Sequence, residues 1–475
     1  MKFSSCFFII FFSLFISNIS YELSEEKKAE LKNLIETQIK SAKLHTMGIV
    51  IVDEKDVLYK NIFGENEMKE DSPFIIGSVS KSFTALTLFI LGVDINKTLD
   101  QFDLKEYIKE EDAKKITIRE LLDHTSGLQQ FGSRIKYEKG EHHYSNYGFA
   151  LLGKIIEKEC GKSYHECLKE KIFDPLQMTN TQAKKRDDLI TSYDNFFGFS
   201  IKYTGINKEI GDGFMIPAGF ISSTLNDMGK YLQMYVKAIN GDYPGFSEHI
   251  ARMSNISSKI RYNYGYGYGL FIKKKTGLTT VYHSGGARSF LCQFTIFKER
   301  NFGVYIITNT ADLFCLYTSE TFVENIENFL INDYYDTIDK SVYTCTHFYM
   351  DMIFIFSLSV PLIYLIITIV RKCKKKEYIW FKEVKGKIIF VVELILLIIL
   401  PVAIIVILYT IDPDFTYLIN NFRDVQFVIF TGASALFLTF IIKLIYVFIY
   451  DKYLEHSRLS SSQIEGMEIS LIGIK

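Results

Sequence analysis

The order of apolar and polar positions predicts a sheet assembled from two separated parts of the chain. Apolar residues at helical spacing on a charged background run from Ser24 to Leu44. Two alternating runs follow, Met47–Val52 and Val57–Phe63, with a turn between them that indicates a hairpin. Further strands are predicted much later, and a helix closes the segment; these later elements are Tyr266–Lys273, Thr279–His283, Phe290–Phe297, Gly303–Thr308 and Thr318–Leu330.

The segment between the two sets of strands is mainly helical. A capping box, Thr117-Ile118-Arg119-Glu120, opens one short helix, and Gly161 ends another. The predicted helices of this insertion are Ser78–Leu91, Thr117–Leu122, Tyr147–Glu159, Ser163–Phe173 and Thr224–Ile239. The pattern therefore predicts an α+β fold over residues 21–340, with an antiparallel sheet flanked by helices and a helical insertion.

Three long apolar stretches, residues 349–370, 388–409 and 427–450, follow this domain. Each has about the ~20 residues that a helix needs to cross a bilayer. The first connection is rich in Lys and Arg and the second in Asp, which places the first in the cytoplasm. We therefore predict three transmembrane helices and a cytoplasmic tail, residues 451–475. Three buried core helices are the alternative, which the lack of a polar face disfavours.

Residues 1–20 have the pattern of a secretory signal peptide. Lys2 gives a positive start, and Phe3–Ile16 is an almost unbroken apolar run. An uncleaved anchor is the alternative, and both interpretations place residues 21–340 outside the cytoplasm. The sequence thus predicts a multi-pass membrane protein, with the lipid bilayer as a partner and its main domain on the extracellular or lumenal side.

Charge and cysteine content narrow the chemistry. A formal net charge of −1 gives no indication of a nucleic-acid partner. Five of the seven cysteines lie in the predicted extracytoplasmic part, where disulfides are permitted. Cys160 and Cys167 flank Gly161, so a local bridge fits, although the pairing stays open. No Cys/His spacing resembles a zinc site, and we predict no metal and no organic cofactor.

The leading candidate for a nucleophile lies in Ser78-Val79-Ser80-Lys81. On a helix, Lys81 lies one turn from Ser78 on the same face. A lysine acts as a base only when it is neutral, and the apolar residues around this one could bury it. The same spacing recurs in charged surroundings at Ser24–Lys27 and Ser133–Lys136, so an incidental lysine at a helix start is the alternative.

Two further segments carry suitable groups. Tyr144-Ser145-Asn146 supplies a phenol that can relay protons and a carboxamide that can bind a carbonyl or the lysine. His283-Ser284-Gly285-Gly286 ends a predicted strand, where glycines let a substrate backbone approach. Lys275-Thr276-Gly277 competes for the same role, but it follows two further lysines and is better interpreted as a solvated hairpin turn.

Together these segments resemble the serine β-lactamase and penicillin-binding protein superfamily, nearest its class C β-lactamase and esterase branch. The order Ser-x-x-Lys, Tyr-x-Asn, Lys/His-x-Gly is the same. Supporting segments also resemble the family over about residues 25–332; they are Leu121–Leu128, Asp174–Met178, Pro217–Ser223 and Tyr266–Leu270. The resemblance implies an α+β fold with an active site between the sheet and the helical region.

The resemblance also implies roles for individual residues. Ser78 would be the acylated nucleophile, Lys81 the general base and Tyr144 an aid to proton transfer. The division of base function between Lys81 and Tyr144 is open. Asn146, His283, Gly285 and Gly286 would contact substrate, with the backbone N–H groups of Ser78 and Gly286 as the oxyanion hole. His124 is interpreted as structural, and Arg288 either meets a substrate carboxylate or is a surface charge.

The expected activity is two-step acyl transfer on a small-molecule or peptide ester or amide. Histidine in place of lysine at position 283 removes a permanent positive charge, which favours esterase or D-amino peptidase activity over rapid β-lactam hydrolysis. Two alternatives remain, a catalytically inactive ligand-binding or sensor protein of the same fold and a small transporter. Almost no polar residues interrupt the three apolar stretches, which disfavours the transporter.

Overall fold

The computed structural model describes residues 23–42, 44–64, 68–196, 199–311 and 313–332. It also describes some individual helical residues between 352 and 445. The chain divides into two units, Met1–Tyr343 and Thr344–Lys475. The helices of the first unit are α1 Glu25–Ala42, α2 Ser80–Ile90, α3 Glu110–Ala113, α4 Ile118–Leu122, α5 Asn146–Cys160, α6 Tyr164–Leu168, α7 Ile206–Ile210, α8 Ile216–Gly219, α9 Leu225–Ile239, α10 Ser247–Met253 and α11 Leu313–Asn332. Its strands are β1 Thr46–Asp53, β2 Val57–Gly64, β3 Phe74–Ile75, β4 Ser192–Phe196, β5 Phe199–Tyr203, β6 Ser222–Ser223, β7 Ser258–Arg261, β8 Tyr264–Tyr266, β9 Phe271–Lys275, β10 Leu278–Ala287, β11 Phe290–Phe297, β12 Phe302–Thr308 and β13 Thr310–Ala311.

An eight-stranded antiparallel sheet joins the early and late strands, in the order β2-β1-β12-β11-β10-β9-β8-β7. Strand β1 pairs with β12 in a register that sets Ile49 opposite Ile306. The predicted α+β fold, with a sheet built from both ends of the domain, is therefore confirmed. Two smaller sheets accompany it, β13-β4-β5 and β3-β6.

Alternation along β1 divides the core between the two faces of the sheet. Met47, Ile49 and Ile51 pack with Leu31 of α1 and Ile326 of α11 in one cluster. Val50 and Val52 lie in a second, larger cluster that also contains residues of the helices α2, α5 and α9. The period-2 pattern thus lets one strand bury both of its faces, as a strand between two helical layers must.

The helical insertion begins and ends where its capping residues predict. The Thr117 hydroxyl accepts a hydrogen bond from the Glu120 N–H, and the Glu120 carboxylate accepts one from the Thr117 N–H. Helix α5 ends at Gly161, whose φ of 66° suits a residue without a side chain. Cys160 and Cys167 form a disulfide across this turn.

Two parts of the predicted strand pattern are wrong. The predicted single strand Tyr266–Lys273 is in fact divided between two strands, β8 and β9. Residues Gly267–Leu270 between them form a turn, in which the Gly267 N–H donates a hydrogen bond to the Leu270 carbonyl at 2.8 Å. Gly269, with a φ of 78°, permits that turn. The hairpin β4–β5 was not predicted, although apolar and polar residues alternate along Phe199–Tyr203 of β5.

The predicted signal peptide, residues 1–20, lies outside the described residues. The predicted cytoplasmic tail, residues 451–475, does so as well, and the three predicted transmembrane stretches do so for the most part. Within the described part of the chain, no helix is both long and apolar enough to traverse a bilayer.

Candidate functional site

The turn before helix α2 brings Ser78 and Lys81 together. Ser78 lies in a 3₁₀ turn, Gly77–Val79, that continues directly into α2. Lys81 in the first turn of α2 places its Nζ 3.0 Å from the Ser78 Oγ. The Lys81 residue is 0% exposed, whereas Ser78 is only partly buried.

Two carbonyl groups complete the surroundings of the Lys81 amine. Its Nζ lies 2.7 Å from the Asn146 Oδ1 and also bonds to the Ala218 carbonyl of helix α8. Burial lowers the pKa of Lys81 well below its ordinary value, since a desolvated ammonium is unfavourable. In the neutral amine, the two N–H groups bond to the two carbonyl oxygens. The lone pair then accepts the Ser78 hydroxyl hydrogen, which is the arrangement that a general base requires.

Tyr144 and Asn146 are held by Ser145, the N-cap of α5. The Ser145 Oγ accepts the Gly148 N–H at 3.1 Å and donates to the Gln129 carbonyl at 2.8 Å. The centroid of the Tyr144 ring lies 4.8 Å from the Lys81 Nζ. Burial raises the pKa of the Tyr144 phenol, and its hydrogen bond with Ser78 partly opposes this. The phenol therefore keeps its proton at neutral pH and lies beside the Ser78 hydroxyl.

His124 contacts the same segment, Tyr144–Asn146. Its Nδ1 accepts the Ser145 N–H at 3.1 Å, and its ring centroid lies 4.3 Å from that of Tyr144. Burial is the main cause that lowers the pKa of His124 well below its ordinary value, which keeps the imidazole neutral. These contacts agree with the structural role predicted for His124.

The His283 side chain lies beside Tyr144, with 6.2 Å between ring centroids, but it is buried. Its Nδ1 donates to the Ser284 carbonyl at 2.6 Å, and its Nε2 accepts the Tyr266 hydroxyl at 3.1 Å. Burial is the main cause that lowers the pKa of His283 to about 3. Both ring nitrogens are therefore occupied within the protein, and the exposed residues on this part of β10 are Ser284 and Gly286.

Glycines let the nucleophile turn approach strand β10 closely. A Cβ on Gly77, which has a φ of 51°, would lie 2.4 Å from the Gly286 nitrogen. A Cβ on Gly285 would lie 2.3 Å from the Ile76 carbonyl oxygen. Both distances are far below van der Waals contact, so Ser78 and Gly286 become neighbours only because these positions have no side chain.

The competing motifs lie elsewhere. The Ser24 hydroxyl accepts the Lys27 backbone N–H at 3.2 Å, an ordinary cap of helix α1. Lys275 is the last residue of β9 and pairs with Leu278 across the exposed turn, as the hairpin interpretation predicted. Within the described residues, no three His, Cys, Asp or Glu side chains are grouped so that they could bind a metal ion.

Sequence reasoning did not assign Ala218 or Ser284 to the site. Ala218 contributes a backbone carbonyl, which any residue type carries, so its identity gives no signal. The segment Pro217-Ala218-Gly219 was identified only as one of the stretches that resemble the superfamily, without a role in the site. Ser284 stands within the His283–Gly286 segment, and the alternation of β10 would have indicated that Ser284 and Gly286 share a face.

Ser78, Lys81, Tyr144 and Asn146 thus lie together where the sheet joins the helical insertion. The family model described as Beta-lactamase matches residues 31–314, more than half of the chain. The chain belongs to this family, within the serine β-lactamase and penicillin-binding protein superfamily, whose members are serine acyl-transferases and hydrolases.

Several curated relatives are similar over part of their length. The chain is 28% identical to Beta-lactamase-like protein 4 of Dictyostelium discoideum, over 42% of this chain and 43% of that protein. It is 31% identical to Penicillin-binding protein 4* of Bacillus subtilis, over 34% of this chain and 43% of that protein. The similarity thus spans under half the length of these two relatives.

A solved structure shares the fold. The structure of the octameric penicillin-binding protein homologue from Pyrococcus abyssi matches with a TM-score of 0.54 and 24% sequence identity. The match covers 64% of this chain and 77% of that one.

Proposed function

We propose that the chain is a serine hydrolase that cleaves an ester or amide through an acyl-enzyme on Ser78. The observation that carries the proposal is the buried Lys81 amine, 3.0 Å from the Ser78 Oγ, with carbonyl acceptors at Asn146 and Ala218. A neutral amine in this position can take the serine proton as the hydroxyl attacks.

In the first step, the Ser78 Oγ bonds to the substrate carbonyl carbon and its proton passes to Lys81. The developing oxyanion would be bound by the backbone N–H groups of Ser78 and Gly286. Collapse of the intermediate breaks the bond to the alcohol or amine, which takes a proton from Lys81 directly or through the Tyr144 phenol. Water then attacks the acyl-enzyme by the same route and releases the acid.

Esters and D-amino peptides are the substrates that we propose over β-lactams. His283 carries no charge at neutral pH, since its pKa is lowered to about 3 and both ring nitrogens are bonded within the protein. The permanent positive charge that a lysine would present at this position is therefore missing.

The nucleophile assignment is tested by Ser78→Ala. The variant is expected to lose all labelling by a fluorophosphonate or penicillin probe, because these reagents bond to the activated serine oxygen. Ser24→Ala, at a serine with the same spacing to a lysine, is the matched control and keeps full labelling. Labelling of Ser78→Ala as strong as that of the parent would exclude this nucleophile. Tight ligand binding without turnover, unaffected by Ser78→Ala, would favour the inactive sensor.

We further propose that residues 349–370, 388–409 and 427–450 anchor the chain in a membrane, with the hydrolase domain on the extracytoplasmic side. Their length and the basic first connection support this proposal. The full chain is expected to stay in the membrane pellet after alkaline carbonate washing. A chain ending at Tyr343 is expected to be released with its hydrolysis intact. Recovery of the full chain in the carbonate supernatant would contradict the anchor.

A further inference from the structure

Arg288 occupies the turn between β10 and β11, two residues after Gly286. Its φ is 49°, and its side chain is only 8% exposed. The interpretation of Arg288 as a surface charge is therefore wrong. The remaining prediction for Arg288, contact with a substrate carboxylate, depends on what already surrounds the guanidinium.

Two carboxylates hold the Arg288 side chain. Its Nη2 lies 3.4 Å from the Asp194 Oδ2, and its Nη1 lies 3.9 Å from the Glu209 Oε1. The guanidinium carbon lies 4.7 Å from the centroid of the Tyr203 ring, whose hydroxyl donates to Glu209. The Ser289 hydroxyl donates to the Asp194 Oδ1 at 2.5 Å, which fixes that carboxylate. Among the contacts of the described residues, the Arg288 guanidinium thus faces two acidic groups.

Among the described residues, the basic groups close to the Ser78 hydroxyl, Lys81 and His283, add no positive charge of their own. Burial lowers the pKa of the Lys81 amine well below its ordinary value, and His283 is neutral with both nitrogens bonded. Burial raises the pKa of Glu209, and the nearby Arg288 charge opposes this rise, so Glu209 shares the compensation of Arg288 with the Asp194 carboxylate. A substrate carboxylate that leaves water needs an uncompensated cation, and none of these groups supplies one.

We propose that the site selects substrates without a carboxylate near the scissile bond, and that Asp194 and Glu209 determine this preference by compensating the charge of Arg288. This inference rests on the proposed hydrolase function and defines its substrate class: neutral esters or amides.

The preference is measured with two aryl esters of one N-acylglycine. One has 3-hydroxybenzamide as its leaving group, and the other has 3-hydroxybenzoate, which differs mainly in its negative charge. The full chain in detergent is expected to hydrolyse the neutral ester with a kcat/KM about tenfold higher or more, after correction for the rates with hydroxide. A ratio near one, or faster hydrolysis of the carboxylate ester, overturns the inference.

Two variants test the role of the carboxylates. Glu209→Gln and Asp194→Asn each remove one acidic partner, and in each the ratio is expected to fall by about tenfold as Arg288 becomes available to the anionic ester. Glu70→Gln is the matched control, because it disrupts a different ion pair, Lys60–Glu70 at 2.6 Å, and it is expected to leave the ratio unchanged.

The outcomes separate the inference from the proposed function. An unchanged ratio in both folded variants, judged by circular dichroism, overturns the role of the carboxylates while hydrolysis itself stands. Failure of the parent to hydrolyse either ester, together with no probe labelling of Ser78, overturns the proposed function and this inference with it. The expected result is a high ratio in the parent and in Glu70→Gln, with a low ratio in Glu209→Gln and Asp194→Asn.

Discussion

The Lys81 amine is buried, and none of the carboxylates in the described part of the chain contacts it. Its hydrogen-bond partners are a hydroxyl and two carbonyl oxygens, from Ser78, Asn146 and Ala218. An ion pair would have stabilised the ammonium form and raised its pKa, whereas burial among neutral groups lowers it. The lowered pKa favours the neutral amine, which is the form that can accept a proton.

The pH dependence of hydrolysis follows from this lowered pKa. Because the neutral amine is the active form, kcat/KM is expected to fall as the pH drops through the pKa of Lys81, and that fall lies well below the ordinary lysine range. Lys81→Arg keeps a permanent proton and is expected to lower kcat by about 10²–10⁴-fold.

Lys275→Arg is the control for this experiment, because Lys275 lies in the exposed β9–β10 turn. Its rate and pH profile are expected to match those of the parent. The base assignment fails if Lys81→Arg keeps the parent rate, or if parent activity appears only above about pH 10, where an ordinary lysine loses its proton.

At this scale the sequence predicted much of the site. The residues Ser78, Lys81, Tyr144 and Asn146 were singled out by side-chain chemistry and spacing, and the structure brings them together. Their catalytic roles remain predictions. Ala218 could not be found in this way, because the contribution of a backbone carbonyl depends on where the chain passes and not on residue type.

At the scale of elements, the site depends on how closely the 3₁₀ turn Gly77–Val79 packs against strand β10. A hairpin partner, β11, holds β10 from the other side, and the Cys292 thiol donates to the Ile76 carbonyl at 3.1 Å. The nucleophile turn is therefore fixed by contacts on both sides of Gly77, which leaves no room for a side chain there.

A comparison of two glycines can distinguish the cost of backbone strain from the cost of a steric clash. Gly77 and Gly92 both have a positive φ, 51° and 69°, but only Gly77 has atoms within 4 Å of an added Cβ. Gly92→Ala is expected to lower the free energy of unfolding by about 1–2 kcal/mol from strain alone. Gly77→Ala is expected to cost about 1–3 kcal/mol more and to abolish probe labelling.

The measurements are chemical denaturation and labelling of both variants. Equal loss of stability in Gly77→Ala and Gly92→Ala, with labelling retained in both, would contradict the close packing of the turn on β10.

Element boundaries were predicted where local chemistry sets them and missed where it does not. The Thr117 capping box and the Gly161 stop have side-chain or backbone signals. The β8–β9 turn was not predicted, because Tyr266, Tyr268 and Leu270 continue the alternating pattern of a strand through it. The turn forms instead at Gly267, where an added Cβ would lie 2.1 Å from the Met253 carbonyl oxygen of a distant helix.

At the scale of the whole molecule, the main proposal is that the domain of residues 21–340 lies outside the cytoplasm. The Cys160–Cys167 disulfide lies within the part of the chain that matches the Beta-lactamase family, and such bonds persist mainly outside the cytoplasm. The bridge therefore connects a local feature to the proposed topology, in which a signal peptide exports the domain.

Thiol alkylation tests this connection. In full-length protein denatured without reduction, Cys160 and Cys167 are expected to resist a maleimide and to react once they are reduced. Cys292, a buried free thiol, is the internal control and reacts in both samples. Cys160→Ser is expected to lower the free energy of unfolding by about 2 kcal/mol through the lost loop constraint. Alkylation of both cysteines without reduction would place the domain in a reducing compartment.

By itself, the sequence determined what is local. The spacing of Ser78 and Lys81 on one helical turn, the caps of the helices and the alternating strands are set by neighbours in the chain. The tertiary structure alone decided which distant segments meet Lys81: Asn146 is 65 residues away along the chain and Ala218 is 137. It also decided that two carboxylates enclose Arg288, since burial of apolar faces chooses these neighbours and no short-range pattern encodes them.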